Sequence, residues 1–136
     1  MAESDLLTLL KTLEVKRHEG IWRFETIDRE TSSWAELVSM RSARDIAMLF
    51  VEQEGPTVIL RAEDETPADN RWVWLELSVY SDLQAVGFLA KIAEALAAAN
   101  VPCNAVAAFY HDHIFVPFEK ADTALLALGK LTSESQ

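Results

Sequence analysis

The stretch that decides the fold is residues 78–120, SVYSDLQAVGFLAKIAEALAAANVPCNAVAAFYHDHIFVPFEK, taken with the alternating run that leads into it. Val73, Leu75, Leu77 and Val79 alternate with Trp74, Glu76 and Ser78, the period of two of a strand with one buried face. Ser81 and Asp82 follow, and both residue types accept hydrogen bonds from the free N–H groups at a helix start. Beyond them Val86, Leu89, Ile92, Ala93 and Leu96 recur at spacings of three and four, which predicts a helix with Lys91 and Glu94 on its polar side. Asn100-Val101-Pro102 ends it, since proline cannot continue a helix and biases the residue before it toward extended geometry. Two further strands are predicted over residues 103–109 and 113–116, joined by a tight turn at His111-Asp112, where the aspartate can hydrogen-bond neighbouring backbone. Residues 117–131 then place Ala121, Ala124, Leu125 and Leu128 on one side of a second helix. Strand, helix, strand, strand, helix is a ferredoxin-like βαββαβ unit without its last strand. The fold class expected is therefore α+β with antiparallel sheets.

The run Ser78-Val79-Tyr80-Ser81-Asp82-Leu83-Gln84-Ala85-Val86-Gly87, together with Asn104-Ala105-Val106-Ala107-Ala108-Phe109-Tyr110-His111-Asp112-His113-Ile114-Phe115-Val116, resembles the ACT-domain superfamily. More narrowly, it resembles small bacterial proteins of unknown function built from two ACT-like modules. The resemblance is good over the C-terminal half and faint over the N-terminal one. It implies two ACT-like halves in tandem, residues 1–66 and 67–136, each ferredoxin-like. It also implies a non-catalytic regulator that binds amino acids or similar small molecules between modules, with Ser81, Asp82, Leu83, Val86, Gly87, Asn104 and Asp112 as the ligand-binding set. Related chains tend to carry a proline in the segment leading to the first aromatic strand, where this one has Glu14-Val15-Lys16-Arg17-His18-Glu19.

Composition narrows the partners. The chain has 136 residues, half of them hydrophobic, enough for one compact domain or two small halves. Twelve basic against twenty-two acidic residues leave a net charge of −10, which opposes nucleic-acid binding by counterion release. A single cysteine, Cys103, excludes an internal disulfide and reads as a small core residue. No apolar run is long enough to span a bilayer, and the acidic opening Met1-Ala2-Glu3-Ser4-Asp5 is unlike a signal peptide, so a cytoplasmic protein without membrane contact is expected. No cofactor is expected either, because the four glycines are widely spaced and form no phosphate-cradling loop.

In the first half, Leu6, Leu7, Leu9, Leu10 and Leu13 predict a short amphipathic helix starting near Ser4-Asp5. Residues 20–26 alternate as a strand, a short helix is expected over residues 33–40, and the apolar runs 45–52 and 57–62 flank Gln53-Glu54-Gly55-Pro56 as a hairpin. The acidic, turn-rich segment 63–70 reads as an exposed linker.

Four features carry the functional reading. Gly87 lies opposite the predicted buried stripe, so the core does not demand its small size; a ligand or another backbone close by would, as would a tolerated accident of the first turn. Asp82 is either a helix cap or the partner of a ligand ammonium, while the N–H groups beside it can hold a carboxylate. His111 and His113, two apart on a strand, share a face but need a third metal ligand, and His18 is the only other histidine. The alternative is a turn closed by Asp112, with His113 bonded to a backbone or carboxylate group. The hairpin is also similar to that of the eukaryotic arginine sensors of the ACT superfamily, which implies that Asp112 holds a cationic group. Finally, Trp72, Trp74 and Tyr80 project from the outer face of their strand and need cover from the first half or a second subunit; a homodimer would also protect the edge left by the absent strand. With no Ser/His/Asp or Cys/His arrangement, a ligand sensor ranks above an enzyme. The rival is an interaction module using Trp72 and Trp74.

Overall fold

The computed structural model describes residues 5–27, 43–79 and 85–136 and positions 36 and 39. In chain order its helices and strands are α1 (Leu6–Thr12), β1 (Val15–Arg17), β2 (Trp22–Thr26), β3 (Ile46–Val51), β4 (Pro56–Arg61), β5 (Trp72–Leu77), α2 (Phe88–Ala98), β6 (Asn104–Ala107), β7 (Asp112–Pro117) and α3 (Ala121–Glu134). They fall into two compact units, one of Met1–Glu19 with Val73–Gln136 and one of Gly20–Trp72. In the first of these units the N-terminal helix and strand pack with C-terminal elements. The short helix expected over residues 33–40 lies outside the described residues except at positions 36 and 39.

In the first unit the strands lie in the order β1, β5, β7, β6. The fourth strand of the ferredoxin-like unit is thus present, and it comes from the start of the chain. β1 runs antiparallel to β5, with Val15 opposite Leu77, Lys16 opposite Glu76 and Arg17 opposite Leu75. Ser78 N–H donates to the Glu14 carbonyl at 2.7 Å and His18 N–H to the Trp74 carbonyl at 2.9 Å, extending the ladder at both ends. The edge beside β5 therefore needs no second subunit to cover it.

The alternation of β5 predicted from the sequence holds: Val73, Leu75 and Leu77 are fully buried. They join Ile114 and Val116 of β7 and Leu9, Leu10, Leu13, Ile92, Leu96, Ala124 and Leu128 from the helical side in one core. At about 25 cal/mol per Å² of apolar surface, such burial is the main stabilising term. Three details differ from expectation. The hairpin turns at Phe109-Tyr110, with Ala108 N–H bonded to the His111 carbonyl at 3.1 Å, so Asp112 lies within β7, opposite Ala107. Helix α3 starts at Ala121 after a single 3₁₀ turn, Phe118–Lys120. And α2 starts at Phe88, well beyond Asp82.

In the second unit β2 pairs antiparallel with β4, and β4 with β3, the latter with a register shift between Ile46 and Met48. Trp22, Val58, Ile59 and Leu60 are buried there. The expected hairpin 45–62 is present. The segment 63–70 is more than a solvated linker: Arg71 donates to the carbonyls of Thr66 at 2.9 Å, Glu63 at 3.3 Å and Asp64 at 2.7 Å. That guanidinium gathers the loop, while Asn70 bonds both the N–H and the carbonyl of Phe24 at 3.0 and 2.9 Å.

Candidate functional site

Gly87 is where the sequence singled out a site, and its geometry explains the glycine differently. It is the N-cap of α2 in the left-handed region, φ 89°, ψ −8°, a conformation that costs an L residue roughly 1–2 kcal/mol. It is not inside the helix, and the nearest atom to a Cβ placed there is Leu6 Cδ2 at 3.5 Å, an ordinary contact. The positive φ, rather than crowding, therefore requires glycine. It also bars an α-helix from running through residue 87. The buried stripe turns accordingly to Phe88, Ile92 and Leu96, while Ala93 is exposed and Val86, expected inside, is 83 % exposed. Glycine supplies no capping side chain and the first turn of α2 has no acidic residue, so the N–H groups that every helix start leaves unpaired meet no side-chain acceptor from either.

Ser81, Asp82 and Leu83 lie outside the described residues. Asn104 is exposed at the start of β6, opposite Phe115, whereas Asp112 is nearly buried and opposite Ala107. Three residues apart on β6, these positions are separated by roughly 10 Å along the strand and face opposite sides of the sheet. The hairpin does not bring Asn104 and Asp112 together. Cys103 is half-buried against the core, where burial pushes its thiol up from its ordinary pKa.

A second constellation, unforeseen as a whole, occupies the outer face of the β1-β5-β7 sheet. It gathers all three histidines of the chain, His18, His111 and His113, around Glu76 and Trp74. His18 stacks on Trp74 with ring centroids 3.6 Å apart and planes 3° from parallel. Its Nε2 lies 2.8 Å from Glu76 Oε1; a carboxylate only accepts, so that nitrogen carries the proton. Trp74 Nε1–H donates to His113 Nδ1 at 2.9 Å. An indole nitrogen only donates, so His113 is the neutral tautomer with its proton on Nε2. On the hairpin turn, His111 places Nε2 3.8 Å from Glu76 Oε2 and Nδ1 3.5 Å from the Val79 carbonyl. Phe115 also packs against Trp74, centroid to centroid 5.8 Å with planes 30° apart.

Burial pushes the Glu76 carboxyl upward, but the hydrogen bond from His18 and the fields of His111, His18 and His113 outweigh it and hold the group below its usual range. Burial lowers the pKa of His113; Glu76 opposes this, and His18 and His111 reinforce it. Among the described residues no group of three or more His, Cys, Asp or Glu is arranged to hold a metal ion. The partner of His113 Nδ1 is thus an indole, where the sequence offered a backbone or carboxylate group. The outer-face positions of Trp74 and Glu76, with two histidines of equal strand parity, were the available signal; nothing in residues 14–19 marked His18 as their neighbour.

A ferredoxin-like sheet packed on helices, with its edge completed from the chain's other end, defines a small α+β domain. Family models described as ACT domain match residues 1–71 and 71–130, and the chain belongs to the ACT-domain family, a regulatory one. Among solved structures it is similar to a protein of unknown function from Vibrio cholerae, described as a possible transport protein, at 33% identity over 93% of this chain and 95% of that one, with a TM-score of 0.76. Its fold is also similar to that of a putative C-terminal regulatory domain of aspartate kinase from Porphyromonas gingivalis, with 18% identity, 90% and 98% coverage and a TM-score of 0.57. The ligand-free regulatory subunit of aspartate kinase from Thermus thermophilus is similar at 12% identity, with 87% and 97% coverage and a TM-score of 0.63. No curated protein matches the chain. No helix among the described residues is long and apolar enough to cross a membrane.

Proposed function

We propose that the protein is a non-catalytic ACT-type regulator that binds a small molecule, with an α-amino acid as the ligand class, at the turn leading into α2. The observation that carries this is Gly87: a left-handed N-cap without a side chain opens the start of an eleven-residue helix, where N–H groups and the helix dipole favour a carboxylate. Ser81, Asp82 and Leu83 precede it in sequence, and the Asp82 carboxylate suits a ligand ammonium. Exposed Val86 offers apolar surface next to Gly87 in the chain. A ligand held by this turn would favour the turn's bound geometry and so signal without chemistry. The test is the melting temperature of the full chain with each of the twenty amino acids at millimolar concentration. A ligand at a hundredfold excess over its Kd stabilises by about 2.7 kcal/mol. Asp82→Asn keeps the ability to cap but removes the charge; loss of the shift in that variant supports the ammonium contact, and no shift with any amino acid refutes the assignment.

A second reading, an interaction module without a ligand, is favoured by the hairpin turn rather than by the tryptophans. Trp72 and Trp74 are half-buried and engaged, Trp72 bonding Asn70 at 3.1 Å. Phe109 and Tyr110 are 73% and 69% exposed and meet edge to face at 5.0 Å. Partner capture that vanishes with Phe109→Ser and Tyr110→Ser, in a chain that no amino acid stabilises, would put this reading first.

A further inference from the structure

The histidine cluster includes neither Gly87 nor any residue of α2, and its hydrogen bonds are ones that a single proton would overturn. Trp74 can only donate. Its bond to His113 exists because Nδ1 of that ring is bare. A proton arriving from solvent at Nδ1 sets N–H against N–H at hydrogen-bond distance, and the contact must open. The stack of His18 on Trp74 and the fit of Phe115 against it share the same indole, so its movement disturbs both. Charge acts both ways on that proton, Glu76 favouring it and the neighbouring rings opposing it. Glu76 is the only carboxylate among the causes that act on His113, against the rings of His18 and His111. Lys16 of β1 stands directly across from Glu76 and adds another cation. β6 contributes no titratable group, with Val106 opposite His113.

We propose that this cluster is a proton-operated latch: with His113 neutral it fastens the 108–111 turn and the segment after β1 to the end of β5, and protonation of His113 releases Trp74 and loosens the turn. Each fastening is visible. His111 ties the turn to Glu76 and to the Val79 carbonyl, and His18 ties the segment after β1 to Glu76. The turn held in this way displays Phe109 and Tyr110, so the latch sets the presentation of an exposed aromatic pair according to pH. Glu76, His18 and His111 help to set the pH at which His113 takes up its proton.

The test follows tryptophan emission of the full chain from pH 8 to pH 5, with Trp74→Phe to isolate the contribution of that indole. The wild type is expected to show a reversible sigmoidal change that Trp74→Phe lacks. His113→Asn puts an amide oxygen near the place of Nδ1, keeps an acceptor for Trp74 and cannot titrate, so its emission should stay flat. Glu76→Gln removes the charge that favours protonation of His113 and should move the midpoint to lower pH. A His113→Asn chain that keeps the wild-type transition overturns the proposal. Nitrogen-15 spectra of the wild-type imidazoles give an answer even where a variant fails to fold: Nδ1 of His113 should be unprotonated at pH 8 and its titration should move the Trp74 indole signal. A proton on Nδ1 at pH 8, or an indole signal that does not follow the titration, sinks the latch.

Discussion

Leu9→Ala should destabilise the protein as strongly as a substitution in the middle of the C-terminal core, although Leu9 lies in the first helix of the chain. The seven residues of α1 are too few to hold a helix in water unaided; the segment is ordered by packing against α2 and α3. Leu9 is 1% exposed and sits in one cluster with Leu75, Ile92, Leu96 and Leu128. Removing three buried carbons at about 0.8 kcal/mol each gives about 2.4 kcal/mol. The cavity that remains raises the expected cost to about 2.7–5 kcal/mol. Leu7, on the same helix but half-exposed, suffers the same chemical change and should lose about 0.5 kcal/mol or less. Urea unfolding of the two variants gives the difference, and amide exchange at Glu76 and Ser78, the residues whose N–H groups face β1, reports whether β1 leaves β5 when α1 loosens. If Leu9→Ala costs no more than Leu7→Ala, the N-terminal segment is not part of that core and the fourth-strand assignment fails.

Two glycines should respond with opposite sign. Gly87→Ala forces an L residue to φ 89° and should lower the melting temperature, at a cost of about 1–2 kcal/mol; Gly129→Ala, in the interior of α3 with nothing within 4 Å, should raise it through a gain of up to about 1 kcal/mol in helix propensity. Arg71→Ala strips three loop carbonyls of their donor and should accelerate proteolysis within residues 63–70, leaving the α1 and α3 amides protected. Stability should fall with pH in two stages. His113 takes up a proton less readily in the folded chain than in the unfolded one, so between its lowered pKa and about 6.5 the unfolded state binds more protons, and the loss begins as the pH drops through that value. Glu76, held below the usual carboxylate range, adds its loss only below about 4.3; chemical denaturation at a series of pH values separates the two stages, and a flat profile between pH 7 and 5 would contradict the first.

The strands were legible because they carry strong alternation: β5 buries every second residue, and β4 is bounded by the Gly-Pro turn. The face of α2 was not. Seven of the eleven residues Phe88–Ala98 are alanine, lysine or glutamate, which leaves the apolar stripe free to rotate. A tertiary requirement then chooses Phe88 over Ala93, and the left-handed glycine that fixes the choice has no sequence mark beyond being glycine. The N-terminal strand was hidden for another reason. Val15-Lys16-Arg17 is too short and too charged to show a period, and only the unpaired flank of β5 makes it a strand. Part of the site was visible as well, since Gly87 and the Tyr110-His111-Asp112-His113 tetrapeptide drew attention. The roles of His111 and His113 depend on Trp74, Glu76 and His18, which long-range pairing alone brings alongside.

β5 is the strand on which these features converge. β1 lies along one edge of it and β7 along the other, its outer face carries Trp74 and Glu76, and in sequence it is followed by the segment before Gly87 that is proposed to hold a ligand. A ligand at that turn and a proton in the cluster would therefore both act on the last residues of one short strand, and any coupling between them must be reciprocal. If the proposed amino acid binds tightly only when the latch is closed, its affinity falls on acidification, and its binding expels protons from the cluster. Calorimetry in two buffers of different ionisation enthalpy measures that release directly. The proton number so obtained has to equal the slope of log Kd against pH, because both report the same free energy. Agreement with a slope of zero would mean that the turn and the cluster respond independently, with the rigidity of β5 insulating one from the other.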